Sequence, residues 1–178
     1  KRIATLPNGS TASTVVTTFE EKYHYELDSV NLLSSGQSWY GEEFAQLPGR
    51  STIHRFTLPF NDLVPGSTLR WQSALIARSV NQPSLFSLSI NGQSATELSI
   101  AATSSSALDP FARSGQTQAS WTVAGAQPVL EYQFQPGGPQ SQGWLNYFDV
   151  FCNRPLTYRS GQPLIFGTSA SAQPGLQA

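Results

Sequence analysis

Trp144-Leu145-Asn146-Tyr147-Phe148-Asp149-Val150-Phe151-Cys152-Asn153-Arg154-Pro155-Leu156 is apolar at most of its positions, whichever face of an extended chain they fall on. A strand apolar on both faces belongs in the middle of a layered fold and not at its rim. The Asn153-Arg154-Pro155 step predicts a break, and Gly161-Gln162-Pro163-Leu164-Ile165-Phe166 predicts a short apolar strand after it.

Outward from this stretch the chain is a series of short alternating runs. Val129–Gln135 sends Leu130, Tyr132 and Phe134 to one face and Glu131, Gln133 and Gln135 to the other. Thr68–Arg78 places Leu69, Trp71, Leu75 and Ala77 inward and Arg70, Gln72 and Arg78 outward. Ser84–Ile90 lines Phe86, Leu88 and Ile90 on one side, and Asn91-Gly92 is a strong hairpin signal that predicts a return strand over Glu97–Ala101. Thr52–Phe60 carries His54, Phe56, Leu58 and Phe60 in phase, Ser120–Ala124 carries Trp121 and Val123, and an early strand is expected from Thr14 to about Tyr25. No window sustains a helical period for the length a helix needs. These runs predict an all-β fold: one antiparallel β-sandwich over 1–167 with a jelly-roll-like path of eight to ten strands. A Ser-, Ala- and Pro-containing tail follows over 168–178. The connection from Leu27 to Leu47 is read as a long Ser- and Gly-rich loop carrying Trp39-Tyr40.

The composition bounds the function. With 178 residues, the chain is long enough for one domain that needs no disulfide, and its single cysteine, Cys152, permits no intrachain disulfide. Charged residues make up 12%, about half the usual share, and the formal net charge is −1. That balance leaves no electrostatic footprint for nucleic acid. No run reaches the length of a membrane span, and Lys1-Arg2 opens no signal-peptide pattern. If the protein is exported, the sequence reads as an excised portion of a longer one.

Candidate chemistry is sparse. Cys152 is in phase with Phe148 and Val150 on a strand and reads as a small core residue rather than a nucleophile. His24 and His54 have no ligand-spaced partners, so no zinc site is assigned. Gly36-Gln37-Ser38-Trp39-Tyr40-Gly41 exceeds the hydrolase elbow by one residue and lacks its strand-to-helix setting. Glu42 and Glu43 are adjacent and point apart in an extended chain, unlike the facing carboxylates of a glycosidase. Asp28, Asn31 and Asp109 have no calcium-loop spacing. Trp39, Tyr40, Trp71, Trp121 and Trp144 allow a carbohydrate-binding or adhesin-like reading, although Trp71 and Trp121 fall on inferred core faces. Asn8-Gly9-Ser10 fits an N-glycan sequon, and Asp28-Ser29-Val30 resembles an O-glycan acceptor of Bacteroidetes.

Two segments carry a family resemblance. Residues 144–156 with 161–166 resemble the segment W-L-D-Y-I-E-V-N-x-R-R-x-L…G-x-Q-L-I-F-R of the PorU family, the type IX secretion sortases among the gingipain-type cysteine peptidases. Leu32-Leu33-Ser34-Ser35-Gly36-Gln37-Ser38-Trp39-Tyr40-Gly41-Glu42-Glu43-Phe44 is similar to V-N-L-x-x-S-G-x-x-W-Y-G-E-x-F of the same family, in the same order. Residues 151–155 hold one arginine, Arg154, where the family has two in succession. The resemblance implies a non-catalytic N-terminal β region of a cell-surface endopeptidase that removes C-terminal sorting signals. It implies a location on the extracellular face of the outer membrane, and catalytic Cys and His residues downstream of this chain. Under it, no catalytic, cofactor or metal residue is assigned here. The expected partners are the downstream peptidase domain, type IX cargo and secretion components. The expected contact residues are Trp39, Tyr40 and Arg154.

Overall fold

The computed structural model describes residues 16–32, 38–125 and 127–157. The tail over 168–178, the apolar run after Gly161 and the Asn8 sequon therefore lie outside the described residues. The described residues form nine strands and no helix: β1 (Thr18–Glu26), β2 (Glu43–Ala45), β3 (Ile53–Thr57), β4 (Thr68–Arg78), β5 (Ser84–Ile90), β6 (Gln93–Ile100), β7 (Arg113–Thr122), β8 (Val129–Gln135) and β9 (Gln142–Pro155). One sheet has the order β1-β9-β4-β7, with β2 also pairing with β9; the other has the order β3-β8-β5-β6. Every strand pairing is antiparallel. From β2 onward each connection except the β5–β6 hairpin changes sheet, which gives the jelly-roll-like path.

β9 lies inside its sheet, as an apolar strand on both faces requires. One edge is shared end to end by β2, opposite residues 142–144, and β1, opposite residues 147–155; the other edge pairs with β4. The β4 register steps from Ala74 opposite Tyr147 to Leu75 opposite Leu145, leaving Asn146 as an extra residue in a bulge. The bulge lets Leu145 and Phe148 both face the core across an odd interval, and both are fully buried.

The core lies between the sheets. Leu69, Trp71, Leu75 and Ala77 of β4 meet Phe86, Leu88 and Ile90 of β5 and Leu130, Tyr132 and Phe134 of β8, with Leu145, Phe148, Val150 and Cys152 of β9. Each such large side chain contributes about 1.5–3 kcal/mol through burial. A polar knot within it is closed: Trp71 Nε1 donates to Tyr132 Oη and Ser73 Oγ, both at 2.8 Å, and Ser73 Oγ lies 2.6 Å from Tyr132 Oη. In the β5–β6 hairpin, Asn91 (φ 48°) and Gly92 (φ 77°) both take the left-handed conformation that a two-residue turn with this twist demands.

Four expectations need correction. The strand expected to break at Asn153-Arg154-Pro155 runs through Pro155, because β1 supplies ladder partners down to Thr18, and Pro155 occupies the last position, where a missing N–H is tolerated. The return strand of the hairpin begins at Gln93 and not at Glu97. The short run at Ser120–Ala124 is the end of a ten-residue strand beginning at Arg113. Its first half, Arg113-Ser114-Gly115-Gln116-Thr117-Gln118, has no apolar alternation because its inward residues are small: a Cβ on Gly115 would lie 3.1 Å from Leu98. The Leu27–Leu47 loop also contains β2 and a bridge between Val30 and Tyr40.

Candidate functional site

The two segments that carry the resemblance, roughly a hundred residues apart in sequence, meet in space. Glu43 pairs with Trp144 and Phe44 with Gly143. Gly41 N donates to Leu145 O at 2.8 Å, and Leu145 N donates to Glu42 O at 3.1 Å. Gln142 Nε2 donates to Glu43 Oε1 at 2.7 Å. Gly41 is required at this seam, since a Cβ there would come within 2.9 Å of the Leu27 carbonyl oxygen. Tyr25 Oη donates a short hydrogen bond to Glu42 Oε1. Burial, and then the Glu42 carboxylate, raise the phenol's pKa and keep it the donor.

The expected contact residues do not converge. Tyr40 is tied by its backbone to Val30, while the Trp39 side chain beside it is 44% exposed, as is Leu27. These residues sit by the Leu145 end of β9. Arg154 lies nine residues further along the strand, about 30 Å away at the usual rise. Its fork is occupied from within the molecule: Nε and Nη2 donate to the Asp62 carboxylate at 2.8 and 2.9 Å, and Nη1 donates to Glu21 at 3.0 Å. Its guanidinium also lies 5.9 Å from the ring centre of Phe19 and 5.6 Å from that of Phe60. Arg154 closes one end of the sandwich, and the hydrogen bonds to Asp62, and then to Glu21, raise its pKa.

Cys152 is buried on the inner face, and burial pushes its thiol up to about 12. His24 points from the opposite face of the same sheet, so the two cannot form a thiolate–imidazole pair. His54 Nε2 donates to the Glu43 carbonyl at 2.9 Å. Asp109 pairs with Arg113 at 2.8 Å and accepts from Ser104 N at 2.6 Å. Among the described residues no group of three or more His, Cys, Asp or Glu side chains could hold a metal ion.

Sequence reasoning missed the outer face of the β1-β9-β4-β7 sheet. Its central row runs His24–Asp149–Gln72–Gln118 across four strands. Asp149 is only 6% exposed although it sits on an outward face. It is held by His24 Nδ1 at 2.8 Å, Gln72 Nε2 at 3.0 Å and Lys22 Nζ at 3.2 Å. Burial pushes its pKa up, but the His24, Gln72 and Lys22 contacts outweigh burial and hold the carboxyl below its ordinary value. His24 is raised in turn, by its hydrogen bond to Asp149 and then by Glu26, whose Oε2 lies 3.2 Å from Nε2. Both ring nitrogens of His24 thus face carboxylates and neither faces a hydroxyl or thiol, which makes the pair a surface ion pair and not a nucleophile-activating dyad.

The rows above and below place aromatics along β9. Phe151 lies between Lys22 and Arg70, whose cations are 5.7 and 5.2 Å from its ring centre. Tyr147 has His24 tilted beside it at 5.8 Å and the small Ala74 opposite it on β4. Two adjoining depressions of about 500 Å³ each open between these aromatics and β7; Gln72 and Gln118 line both, and the one beside Phe151 also reaches the inward Trp71 and Ala119 and Ala95 of β6. The alternation Tyr147, Asp149, Phe151 is visible in the sequence. That it faces a Gln- and Ser-bearing strand could not be read, because the first half of β7 was not recognised.

No family model matches the sequence, and no curated protein matches it. Among solved structures, the chain is similar to dimeric latent PorU from Porphyromonas gingivalis, with a TM-score of 0.63 and 22% identity, over 89% of this chain and 15% of that one. Weaker likenesses are to the carbohydrate-binding module CBM36 in complex with calcium and xylotriose (TM-score 0.40, 10% identity, 76% of this chain and 99% of that one) and to the sugar-binding EclA C-terminal domain (0.39, 12%, 81% and 86%). The chain therefore shares the fold of a β-sandwich segment that makes up a small part of a much longer PorU chain.

Proposed function

We propose that this chain is a non-catalytic β-sandwich domain of a PorU-like type IX secretion sortase, a cysteine endopeptidase of the bacterial cell surface. In this reading the chemistry belongs to a downstream peptidase domain, and the sandwich is the rigid body on which that domain or the cargo docks. The observation that carries it is the β2–β9 seam. The two segments resembling the PorU family pair with each other there, within a fold similar to PorU over most of this chain. The exposed Trp39, held by the Val30–Tyr40 bridge beside this seam, is the contact residue assigned to docking.

The coding sequence beyond Ala178 tests the reading. A gingipain-like domain with a His and a Cys nucleophile supports it; a stop, or unrelated repeats, overturns it. In a protein that carries the peptidase domain, Trp39→Ala is expected to slow sorting-signal removal while leaving the melting temperature of the sandwich in place.

A further inference from the structure

The outer face of the β1-β9-β4-β7 sheet holds a trough that the docking reading does not use. It runs along β4, with Tyr147 and Phe151 of β9 on one side and Gln116, Gln118 and Ser120 of β7 on the other, and with Gln72 in its floor. The small Ala74, between Tyr147 and Gln116 in the ladder, keeps the floor low beside the Tyr147 ring.

We infer that this trough binds an uncharged oligosaccharide, the Tyr147 ring stacking on a sugar face and the glutamines bonding its hydroxyls. Three observations lead there. First, the charged side chains beside the trough are already paired with one another: Arg70 pairs with Glu20, Lys22 and His24 with Asp149, and His24 also with Glu26. A charged ligand would have to break these pairs, whereas an uncharged one leaves them intact. Second, Gln116 and Gln118 are exposed, and their side-chain amides make no hydrogen bond to the other described residues. An amide offers both donors and acceptors, the complement of a hydroxyl that does both. Third, an aromatic wall facing a few directed polar groups across a concavity is the composition of a ligand site.

The geometry favours a saccharide over a peptide. β4 and β9 are paired on both edges and β7 turns its free edge away from β4, so the trough itself offers no free backbone for strand addition. Tyr147 and Phe151 are four residues apart on one face, ~13 Å, so an oligomer spans the trough where a single sugar does not. The site uses none of Trp39, Tyr40 or Arg154 and stands independently of the docking reading.

The test is calorimetric titration of the purified protein with xylohexaose, cellohexaose, mannohexaose, maltohexaose and chitohexaose, beside oligogalacturonate and a mixed hexapeptide library. At least one neutral hexasaccharide is expected to bind, with affinity on the order of 10–100 μM, and its monomer much more weakly. Q118A and Y147A are each expected to reduce that affinity about tenfold or more. Gln118 is exposed, so Q118A leaves folding intact and keeps the test decisive even if Y147A is unstable. Silence across the neutral panel overturns the inference. So does a preference for the acidic oligomer or the peptides, or saccharide binding that Q118A leaves unchanged.

Discussion

Replacing Arg154 with alanine should measurably loosen the whole sandwich. The side chain joins β9 to Asp62 in the β3–β4 connection through a two-pronged pair and to Glu21 of β1 through a third bond. Charge-assisted hydrogen bonds are worth about 1.5–3 kcal/mol each when well desolvated. Here Arg154 is 24% exposed, Asp62 26% and Glu21 31%, so water recovers part of that on truncation and the bonds share one cation. Loss of the guanidinium's contacts with the Phe19 and Phe60 rings works in the other direction. The sum is about 2–4 kcal/mol for Arg154→Ala, or roughly 5–15 °C in Tm for a chain of this size. Arg154→Lys keeps the charge and stem but not the fork, and should lose about 1–2 kcal/mol. Urea unfolding followed by circular dichroism measures both, with m unchanged if only the native tie is lost. A double-mutant cycle with Asp62→Ala should show a coupling of about 1 kcal/mol or more. A loss in Arg154→Ala below about 0.5 kcal/mol, with no coupling to Asp62, would refute the reasoning and return Arg154 to the role of a free contact residue.

Three further outcomes follow from packing and charge. Gly143→Ala would place a Cβ 2.5 Å from Phe86 Cζ and 3.2 Å from the Phe134 ring, and should cost about 1–3 kcal/mol by overpacking, read as a lower urea midpoint. Tyr132→Phe removes the hydroxyl that joins Trp71 Nε1 to Ser73 Oγ; because those two still bond each other, the expected loss is only about 1–2 kcal/mol, and a loss above about 4 kcal/mol would mean the knot is not satisfied as described. His24 is raised in the folded state, so its stabilisation is full below about pH 6.5 and fades as pH rises through the folded value; Asp149 is lowered, so its contribution is full above about pH 4 and fades in acid. Half of His24 faces water, so its share is about 0.5 kcal/mol or less, and His24→Gln should flatten the decline above pH 6.5 and, by removing a contact that holds the Asp149 carboxyl low, also soften the acid limb.

The layered all-β fold and most of its interior are legible in the order of the residues alone. Strands whose buried face is built from large apolar residues declare their register, since a shift by one would turn Leu130, Tyr132 and Phe134 into water. The same holds for Phe86, Leu88 and Ile90, and Asn91-Gly92 marks its own turn because few other pairs take positive φ twice. A strand as apolar as β9 announces its interior place for the same reason. What those rules do not reach depends on which strands the fold brings together. The first half of β7 is silent because it packs with Gly115 and Thr117, whose small side chains leave no hydrophobic period. The sequence offers Arg154 as a contact residue, and only the fold brings in Glu21 and Asp62, respectively 133 and 92 residues away in sequence. Tyr147, Asp149 and Phe151 became one side of a trough only when pairing set β7 two strands away, because a local pattern fixes which face a residue takes but not what it faces.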